Sequence, residues 1–180
     1  LGGSFYSPNI EEYYLTPWDL GYGHLIKFDH DFIGREALEE RLNEEHRVKV
    51  TLVWNGEDVT RAIGTMFAQP PGQRAKFIDW PVPRYALWQY DAVLNERGDV
   101  IGVSTTCGYI SNASAILSLA VVAPEYSQPG TQVTVLWGEP KGGSEKPLVE
   151  RHIQTEIRAT VAPVPYAEFA RQYLLAARGH

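Results

Sequence analysis

The chain has 180 residues, 44% of them hydrophobic and 21% charged, a composition typical of a globular domain and not of a disordered segment. The formal net charge of -6 excludes a uniformly basic surface for binding nucleic acid. The single cysteine, Cys107, cannot form an internal disulfide, which favours a reducing, cytoplasmic compartment. The longest apolar run, Ala115–Pro124, is too short for a membrane-spanning helix and is predicted to be a buried strand.

Residues 1–46 are predicted to be a connecting segment that ends in a helix. Residues 1–31 are rich in glycine, proline and aromatic residues without a regular period, and we expect one short strand near Gly23–Phe28. Asp31–Glu45 is predicted to be a helix capped by Gly34, because apolar residues recur at helical spacing at Ile33, Ala37, Leu38 and Leu42. The chain begins with leucine, and we expect it to be part of a longer protein.

Residues 47–162 are predicted to be mostly β. Arg47–Trp54 alternates polar and apolar residues as a half-buried strand does, Asn55-Gly56 predicts a turn, and four prolines within residues 69–84 predict a long loop. Further strands are expected at Tyr85–Leu94, Val100–Thr106, Ile116–Val122, Gln132–Trp137 and Val149–Val161, with turns at Asn95–Asp99, Gln128–Gly130 and Pro140–Ser144. Many short strands indicate a barrel or a sandwich. Residues 163–180 are predicted to be a tail with a helix at Tyr166–Ala177, in which Phe169, Tyr173 and Leu174 are spaced to pack.

Few local motifs indicate a particular chemistry. The sequence contains neither of the glycine patterns that cradle phosphates. His24, Asp29, His30 and Asp31 could ligate a metal, but loop capping by an aspartate is the favoured interpretation because zinc sites follow tighter spacings. Cys107 has no recognisable base nearby, which favours a structural thiol over a nucleophile.

A group of aromatic residues crowds the connecting segment: Tyr13, Tyr14, Trp18 and Tyr22. Aromatic faces could hold a flat ring such as a pterin or a phenol, and a tyrosine hydroxyl could act as a general acid. Packing at a seam between domains explains the same residues and is the favoured interpretation. The residues alone therefore predict a mostly β domain with an aromatic edge.

Two long motifs carry a resemblance to a known family. Thr16–Phe28, followed by Asp31–Leu38 with the sequence DFIGREAL, resembles the glycine-cleavage T-protein (aminomethyltransferase) superfamily. Gly98–Thr105, Ala115–Ala120 and Pro129–Val133 are similar to the family's barrel hairpin and the strands that follow it. The resemblance covers nearly the whole chain and implies a Greek-key-like β-barrel, the C-terminal domain of these proteins, with a leading helix and a tail helix.

Within the superfamily the chain most resembles the bacterial vanillate and syringate O-demethylases, on the segments Ser4–Ile10, Tyr13–Pro17, Lys76–Pro81 and Trp88–Asp91. The resemblance implies a parent enzyme that passes the methyl group of a methoxylated aromatic acid to tetrahydrofolate. It also implies that residues 1–46 connect to a preceding folate-binding domain, which supplies most of the active site, including the catalytic acid. The chain departs from the family pattern at Thr105–Gly108 and Ser111-Asn112, and His24 stands where aminomethyltransferases often carry tryptophan.

The expected partners are therefore tetrahydrofolate and a small aromatic methyl donor. By matching family positions, the resemblance makes His24 and, in the tail, Tyr166 or Arg171 candidate folate contacts, and we add Trp18, Tyr22 and Tyr14 from the aromatic group. Two alternatives stay open. One is an aminomethyltransferase that acts with a lipoyl carrier protein, and the other is a non-catalytic domain that binds folate or a partner protein.

Overall fold

The computed structural model describes residues 1–70, 72–82 and 88–178, and for residue 68 and residues 174–178 it describes the backbone alone. In these residues six antiparallel strands form a closed barrel. They are β1 (Val48–Trp54), β2 (Asp91–Leu94), β3 (Val100–Ile110), β4 (Ala115–Val122), β5 (Gln132–Trp137) and β6 (Thr155–Ala162). Three helices accompany them in the described residues: α1 (Arg35–Arg41), α2 (Gly56–Ala68) and α3 (Glu168–Arg178).

The strand order around the barrel is β1-β4-β3-β2-β5-β6. Strands β2, β3 and β4 form a meander. Strand β1, which precedes them in the chain, pairs with β4, and this is the Greek-key arrangement. The predicted Greek-key-like barrel is therefore confirmed. Its interior is filled by alternate side chains of every strand, and at its centre Trp54 meets Trp137 edge to face with ring centroids 5.5 Å apart.

The hairpin between β2 and β3 follows the sequence prediction. Asn95 accepts hydrogen bonds on its side-chain oxygen from the amides of Arg97 and Asp99, and Gly98 takes the left-handed conformation that the turn requires. The predicted turn at Gln128–Gly130 is also present, and β5 has the predicted bounds. Strand β3 extends four residues beyond the predicted Thr106 to Ile110.

Helix α2 was missed, and the predicted turn at Asn55-Gly56 is wrong. Asn55 is instead the N-cap, because its side-chain oxygen accepts a hydrogen bond from the amide of Asp58 at 3.1 Å. Val59, Ala62 and Ile63 then recur at helical spacing and pack against the barrel. The sequence carried this signal, but a capping Asn followed by Gly also matches a hairpin turn.

The predicted strand near Gly23–Phe28 is wrong. Gly23–Leu25 is a single turn of 3-10 helix, closed by hydrogen bonds from the amides of Leu25 and Ile26 to the carbonyls of Tyr22 and Gly23. The Trp18 ring lies where a Cβ on Gly23 would be, so this turn packs closely on the tryptophan. Packing against Trp18, which the sequence pattern does not show, favours this turn over the predicted extended conformation.

Helix α1 is shorter than predicted, helix α3 starts two residues later than predicted, and both are poorly covered. Helix α1 starts after the predicted cap, Gly34, but Ile33 and Leu42 of its apolar stripe are exposed. On α3 the side chains of Phe169 and Tyr173 are exposed instead of packed, while the side chain of Leu174 lies outside the described residues. The amphipathic spacing of these helices thus predicts helix correctly, but this chain buries little of their apolar faces.

Strand β6 begins six residues later than predicted. Residues 149–154 run as an irregular segment in which Val149 and His152 are both buried, although a strand would place them on opposite faces. The prediction failed because this segment packs under the turn at Gly142 and Gly143 and not in the sheet. The first residues of the predicted strand Tyr85–Leu94 lie outside the described residues, and of its described residues only Asp91–Leu94 form strand β2.

Candidate cofactor-binding surface

The part of the chain that carries Tyr13, Tyr14, Trp18 and Tyr22, called here the aromatic segment, is held against the start of β1 through Asp19. The Asp19 carboxylate is buried and accepts hydrogen bonds from the amide of Thr16 at 2.8 Å and the amide of Arg47 at 3.0 Å. The Arg47 guanidinium lies 3.3 Å from the same carboxylate and donates to the carbonyl of Tyr14 at 2.8 Å. These contacts hold residues 14–19 in one conformation against the barrel.

The aromatic side chains have separate partners. Trp18 stacks on His46, with centroids 4.5 Å apart and an interplanar angle of 4°, so one face of the tryptophan is covered. Tyr13 packs edge to face on Phe5 at 5.1 Å, and its hydroxyl accepts a hydrogen bond from the amide of Ser7 at 2.9 Å. Packing, the interpretation favoured from sequence, therefore accounts for Trp18 and Tyr13.

Tyr14 and Tyr22 present more of their rings to solvent. Tyr22 is 51% exposed, and the Lys49 ammonium lies 5.4 Å from its ring centroid, within cation-π range. Lys49 is fixed from the other side, because it donates a hydrogen bond to the carbonyl of Leu20 at 3.3 Å. An exposed aromatic face beside a fixed cation can receive an aromatic ligand that carries a negative charge.

The other two predicted contacts lie apart from this pair. His24 is exposed in the 3-10 turn that follows Tyr22. Arg171 lies on α3, where its guanidinium donates to the carbonyls of Pro165, at 2.7 Å, and Tyr166. Arg171 therefore braces the chain before α3.

Two adjoining grooves run along the outer face of β1, β3 and β4. The first has a volume of about 420 Å³ and the second about 630 Å³, and they share Lys49, Thr106 and Leu119. Their linings are mostly apolar, and Lys49 is the charged side chain among the described residues that line them. The first groove is further lined by Leu15, Leu20, Trp88, Tyr90, Thr105 and Val121. Tyr22 contacts Lys49, so its exposed ring stands at the edge of these grooves.

The region around Cys107 is structural. Cys107 is buried on β3, next to the point where the register with β4 shifts. Burial, followed by the nearby Asp91, raises the pKa of its thiol to about 12, so the thiol is neutral and cannot act as a nucleophile near neutral pH. Behind it the hydroxyls of Ser104 and Ser118 lie 2.9 Å apart, and Ser118 accepts a hydrogen bond from the Trp54 indole.

The acidic residues before α1 form local ion pairs. His30 contacts Asp29 at 2.8 Å, and both side chains are exposed. The Arg35 guanidinium reaches back to the Asp31 carboxylate at 3.3 Å and to the carbonyl of His30 at 3.2 Å. These contacts are local ion pairs and a hydrogen bond to a carbonyl, and loop capping by an aspartate stays a prediction.

A cluster of four buried titratable side chains had no role in the sequence analysis. Lys76, Asp91, Glu139 and His152 are between 0% and 3% exposed. They come from four separate parts of the chain, so no local pattern joins them. Burial of a charged residue is the physical signal of such a site, and it becomes visible only in the folded chain.

The chain is similar to two curated proteins. It is 52% identical over 171 residues, or 95% of its length, to syringate O-demethylase from Sphingobium sp. (strain NBRC 103272 / SYK-6). It is 33% identical over 174 residues, or 91% of its length, to sesamin methylene transferase from Sinomonas sp. (strain No.22). The alignments span 36% of the length of each relative. The predicted resemblance to the O-demethylases is thus confirmed for a stretch of about a third of such a protein.

Among solved structures, the chain is similar to glycine cleavage system aminomethyltransferase T from Bartonella henselae, with a TM-score of 0.49 and 17% identity. The match covers 86% of this chain and 32% of that chain. No family model matches the sequence. In the described residues, the helices are too short or too polar to cross a membrane.

Proposed function

We propose that this chain is part of a tetrahydrofolate-dependent methyltransferase that O-demethylates a methoxylated aromatic acid and passes the methyl group to tetrahydrofolate. The observation that carries the proposal is the 52% identity to syringate O-demethylase over 95% of the chain. The second relative is named a methylene transferase, so both names describe the removal or transfer of a one-carbon unit. The soluble, cytoplasmic location expected from the single cysteine belongs to the same proposal.

We infer that the chain contributes a supporting surface and not the complete active site, since it spans about a third of the length of these relatives. Transfer of a methyl group from an ether oxygen needs a general acid that can reach the leaving oxygen. Burial raises the pKa of Asp91 to about 7 and that of Cys107 to about 12, but both side chains are buried and out of reach of a substrate. Following the family resemblance, we assign the general acid to a part of the enzyme outside this chain.

The residues fit a role in holding tetrahydrofolate. The cofactor carries aromatic rings and carboxylates, and Tyr22 with Lys49 offers an exposed ring face beside a fixed ammonium. Tyr14 and His24 add exposed side chains on the same segment. Trp18 supports this segment from below through its stack on His46, and Arg171 belongs to the proposal by its match to the family.

Calorimetric titration with tetrahydrofolate tests this surface, in the 180-residue chain and in the longer protein that contains it. We expect Tyr22→Ala to weaken binding about 2- to 10-fold, because one ring contact is lost. Tyr173→Ala is the matched control, since Tyr173 is an exposed tyrosine on α3, and it should leave binding unchanged. Equal affinity for Tyr22→Ala and the unaltered protein would remove Tyr22 from the site.

Turnover of syringate by the longer protein tests the function itself. Release of the demethylated phenol, with 5-methyltetrahydrofolate as the second product, supports the proposal. Folate binding without turnover would favour the non-catalytic alternative. Transfer of an aminomethyl group from a lipoyl carrier would favour the aminomethyltransferase alternative. Failure of both proteins to bind tetrahydrofolate would exclude the folate assignment.

A further inference from the structure

Residues 2–5 lie against the start of β2 like a short added strand. The amide of Gly2 donates to the carbonyl of Trp88 at 2.6 Å, and the amide of Tyr90 donates to the carbonyl of Gly2 at 2.9 Å. The amide of Phe5 continues the pairing with a hydrogen bond to the carbonyl of Tyr90 at 2.9 Å. Gly3 has a positive φ of 92°, and a Cβ there would collide with the Tyr90 backbone, so the segment lies in close contact with the strand.

Two buried carboxylates hold this segment from below. Glu139 Oε1 accepts a hydrogen bond from the amide of Gly3 at 3.0 Å, and Asp91 Oδ1 accepts one from the amide of Ser4 at 3.2 Å. The Ser4 hydroxyl accepts from the amide of Ala92 at 2.8 Å. Asp91 and Glu139 are each 2% exposed, and the direct contacts of Gly3 and Ser4 make this segment part of what shields the two carboxylates from water.

The positive charge in this cluster comes from Lys76. Its ammonium is 0% exposed and donates to Glu139 Oε1 at 2.9 Å and to Gln89 Oε1 at 2.7 Å. It also lies 4.9 Å from the centroid of the Trp137 ring, to which a cation is attracted. Lys76 thus donates directly to Glu139 and Gln89, and its charge also acts on the nearby Asp91 carboxyl.

His152 faces Glu139 within the same cluster. Its Nε2 accepts a hydrogen bond from the amide of Glu139 at 2.9 Å and lies 3.4 Å from Glu139 Oε2, while its Nδ1 lies 2.8 Å from the carbonyl of Glu150. The Glu139 amide can donate to Nε2 only when that nitrogen carries no proton, which places the ring proton on Nδ1, next to the Glu150 carbonyl. Cys107, on β3, is the remaining titratable neighbour identified for Asp91, and its thiol is neutral.

If Asp91 were ionised, the described groups of the cluster would therefore include one ammonium and two carboxylates, all of them buried. A buried charge without a compensating partner is costly, and a carboxyl group avoids the cost by taking up a proton. Burial raises the pKa of Asp91 to about 7, against opposing effects from Lys76 and the amide of Ser4. Burial also disfavours ionised Glu139, but the amide of Gly3 and Lys76 outweigh it and lower the pKa of that carboxyl.

We propose that this cluster is a proton-dependent latch, in which residues 2–5 close over protonated Asp91 and are released more readily once Asp91 is ionised. The segment leads directly to the aromatic segment, and Phe5 packs on Tyr13. The latch therefore fixes the start of the candidate cofactor-binding surface to the barrel. It rests on the contacts above and does not depend on the proposed function.

The direction of the pH dependence follows from linkage. Release of residues 2–5 exposes Asp91 to water, where an aspartate has a pKa of about 3.9. With a pKa of about 7 in the closed form, the closed latch binds more protons than the open one between about pH 4 and pH 7. Closing is therefore most favourable at acidic pH, weakens as the pH rises through this window, and levels off above pH 7.

Amide hydrogen exchange at Gly3 and Ser4, corrected for the intrinsic pH dependence of exchange, tests the latch. We expect protection of these amides to fall roughly tenfold or more between pH 5.5 and pH 8. Asp91→Asn should abolish the dependence, because asparagine keeps an acceptor for Ser4 and does not ionise. Glu156→Gln removes the same charge from an exposed position on β6 and should leave the dependence unchanged. Equal protection at both pH values, or an unchanged dependence in Asp91→Asn, would overturn the proposal.

A second measurement needs no variant at Asp91. Carbon NMR of the side-chain carboxyl groups of the unaltered chain gives the titration of Asp91 directly. We expect its resonance to report a protonated carboxyl at pH 5.5 and an ionised one above pH 8. An Asp91 that is already ionised at pH 5.5 would refute the latch, even if Asp91→Asn failed to fold.

Discussion

At the scale of single residues, ion pairs differ sharply in how far they are removed from water. Lys141 and Glu145 lie 2.7 Å apart, but both are exposed, and such pairs contribute little to stability. Asp58 is buried at the start of α2 and accepts hydrogen bonds from Arg158 Nε at 2.8 Å and Nη2 at 2.9 Å. The Arg158 side chain, assisted by the Arg158 amide and Arg61, holds the pKa of Asp58 well below its usual range against the effect of burial.

Asp58→Asn should lower the free energy of unfolding at pH 7 by about 1–3 kcal/mol, because the charge-assisted hydrogen bonds to Arg158 are weakened. The folded-state pKa of Asp58 is depressed, so its contribution is present above the unfolded value of about 3.9 and is lost as the pH falls below it. Urea denaturation at pH 7 and pH 3 measures both effects.

Glu57→Gln is the matched control for this change. Glu57 is the neighbouring acid and lies 3.5 Å from Arg158, but it is exposed, and its loss should change the free energy of unfolding by less than about 0.5 kcal/mol. A deficit for Asp58→Asn that stays the same at pH 3 would contradict the assignment to the ionised carboxylate.

At the scale of elements, α2 shows how one residue selects between two local structures. Asn55 followed by Gly56 is compatible with a turn, but the next strand in the barrel to pair with β1 is β4, which the chain reaches only after β2 and β3. The chain therefore leaves β1 through a helix that packs on β6, and Asn55 caps it. Tertiary packing of Val59 and Ala62 stabilises the helix once the cap has started it.

Asn55→Ala should cost about 1 kcal/mol in the free energy of unfolding, since the amide of Asp58 loses its capping acceptor. Asn55→Asp keeps an acceptor oxygen and should be close to neutral. Thermal unfolding followed by circular dichroism compares the two variants. Equal destabilisation by aspartate and alanine would show that the capping hydrogen bond does not stabilise α2.

At the scale of the whole molecule, the buried cluster connects parts of the chain that the barrel topology brings together. Lys76 lies in the long segment between α2 and β2, and its carbonyl accepts a hydrogen bond from the Trp137 indole at 3.0 Å. The same segment carries Ala75 and Ile78 into the core. Lys76 and Glu139 therefore fasten this segment and the end of β5 to one another.

Lys76→Met should lower the free energy of unfolding by about 3–5 kcal/mol, because it leaves the Glu139 carboxylate buried without its ammonium. The double variant Lys76→Met with Glu139→Gln removes both charges and should recover a large part of that loss. Urea denaturation of the two single variants and the double variant gives the coupling free energy between Lys76 and Glu139. Additive effects would show that the pair does not act as a unit.

Sequence by itself determined much of the barrel and little of its polar interior. Alternation of apolar residues, Gly98 in the hairpin and the turn at Gln128–Gly130 are local signals, because a strand or a tight turn depends on residues next to one another. The aromatic segment was identifiable for the same reason, and Asp31–Leu38 carried the resemblance to a family.

Tertiary structure alone decided which of these residues meet. It paired Trp18 with His46, gave Tyr22 a neighbour in Lys49, and left the apolar faces of α1 and α3 exposed. It also buried Lys76, Asp91, Glu139 and His152 together, residues that look like ordinary surface positions in the sequence. The burial of these four side chains and their proximity to one another arise only when the barrel closes. The charge state of Asp91 depends on this burial and proximity, so it cannot be derived from a local sequence pattern.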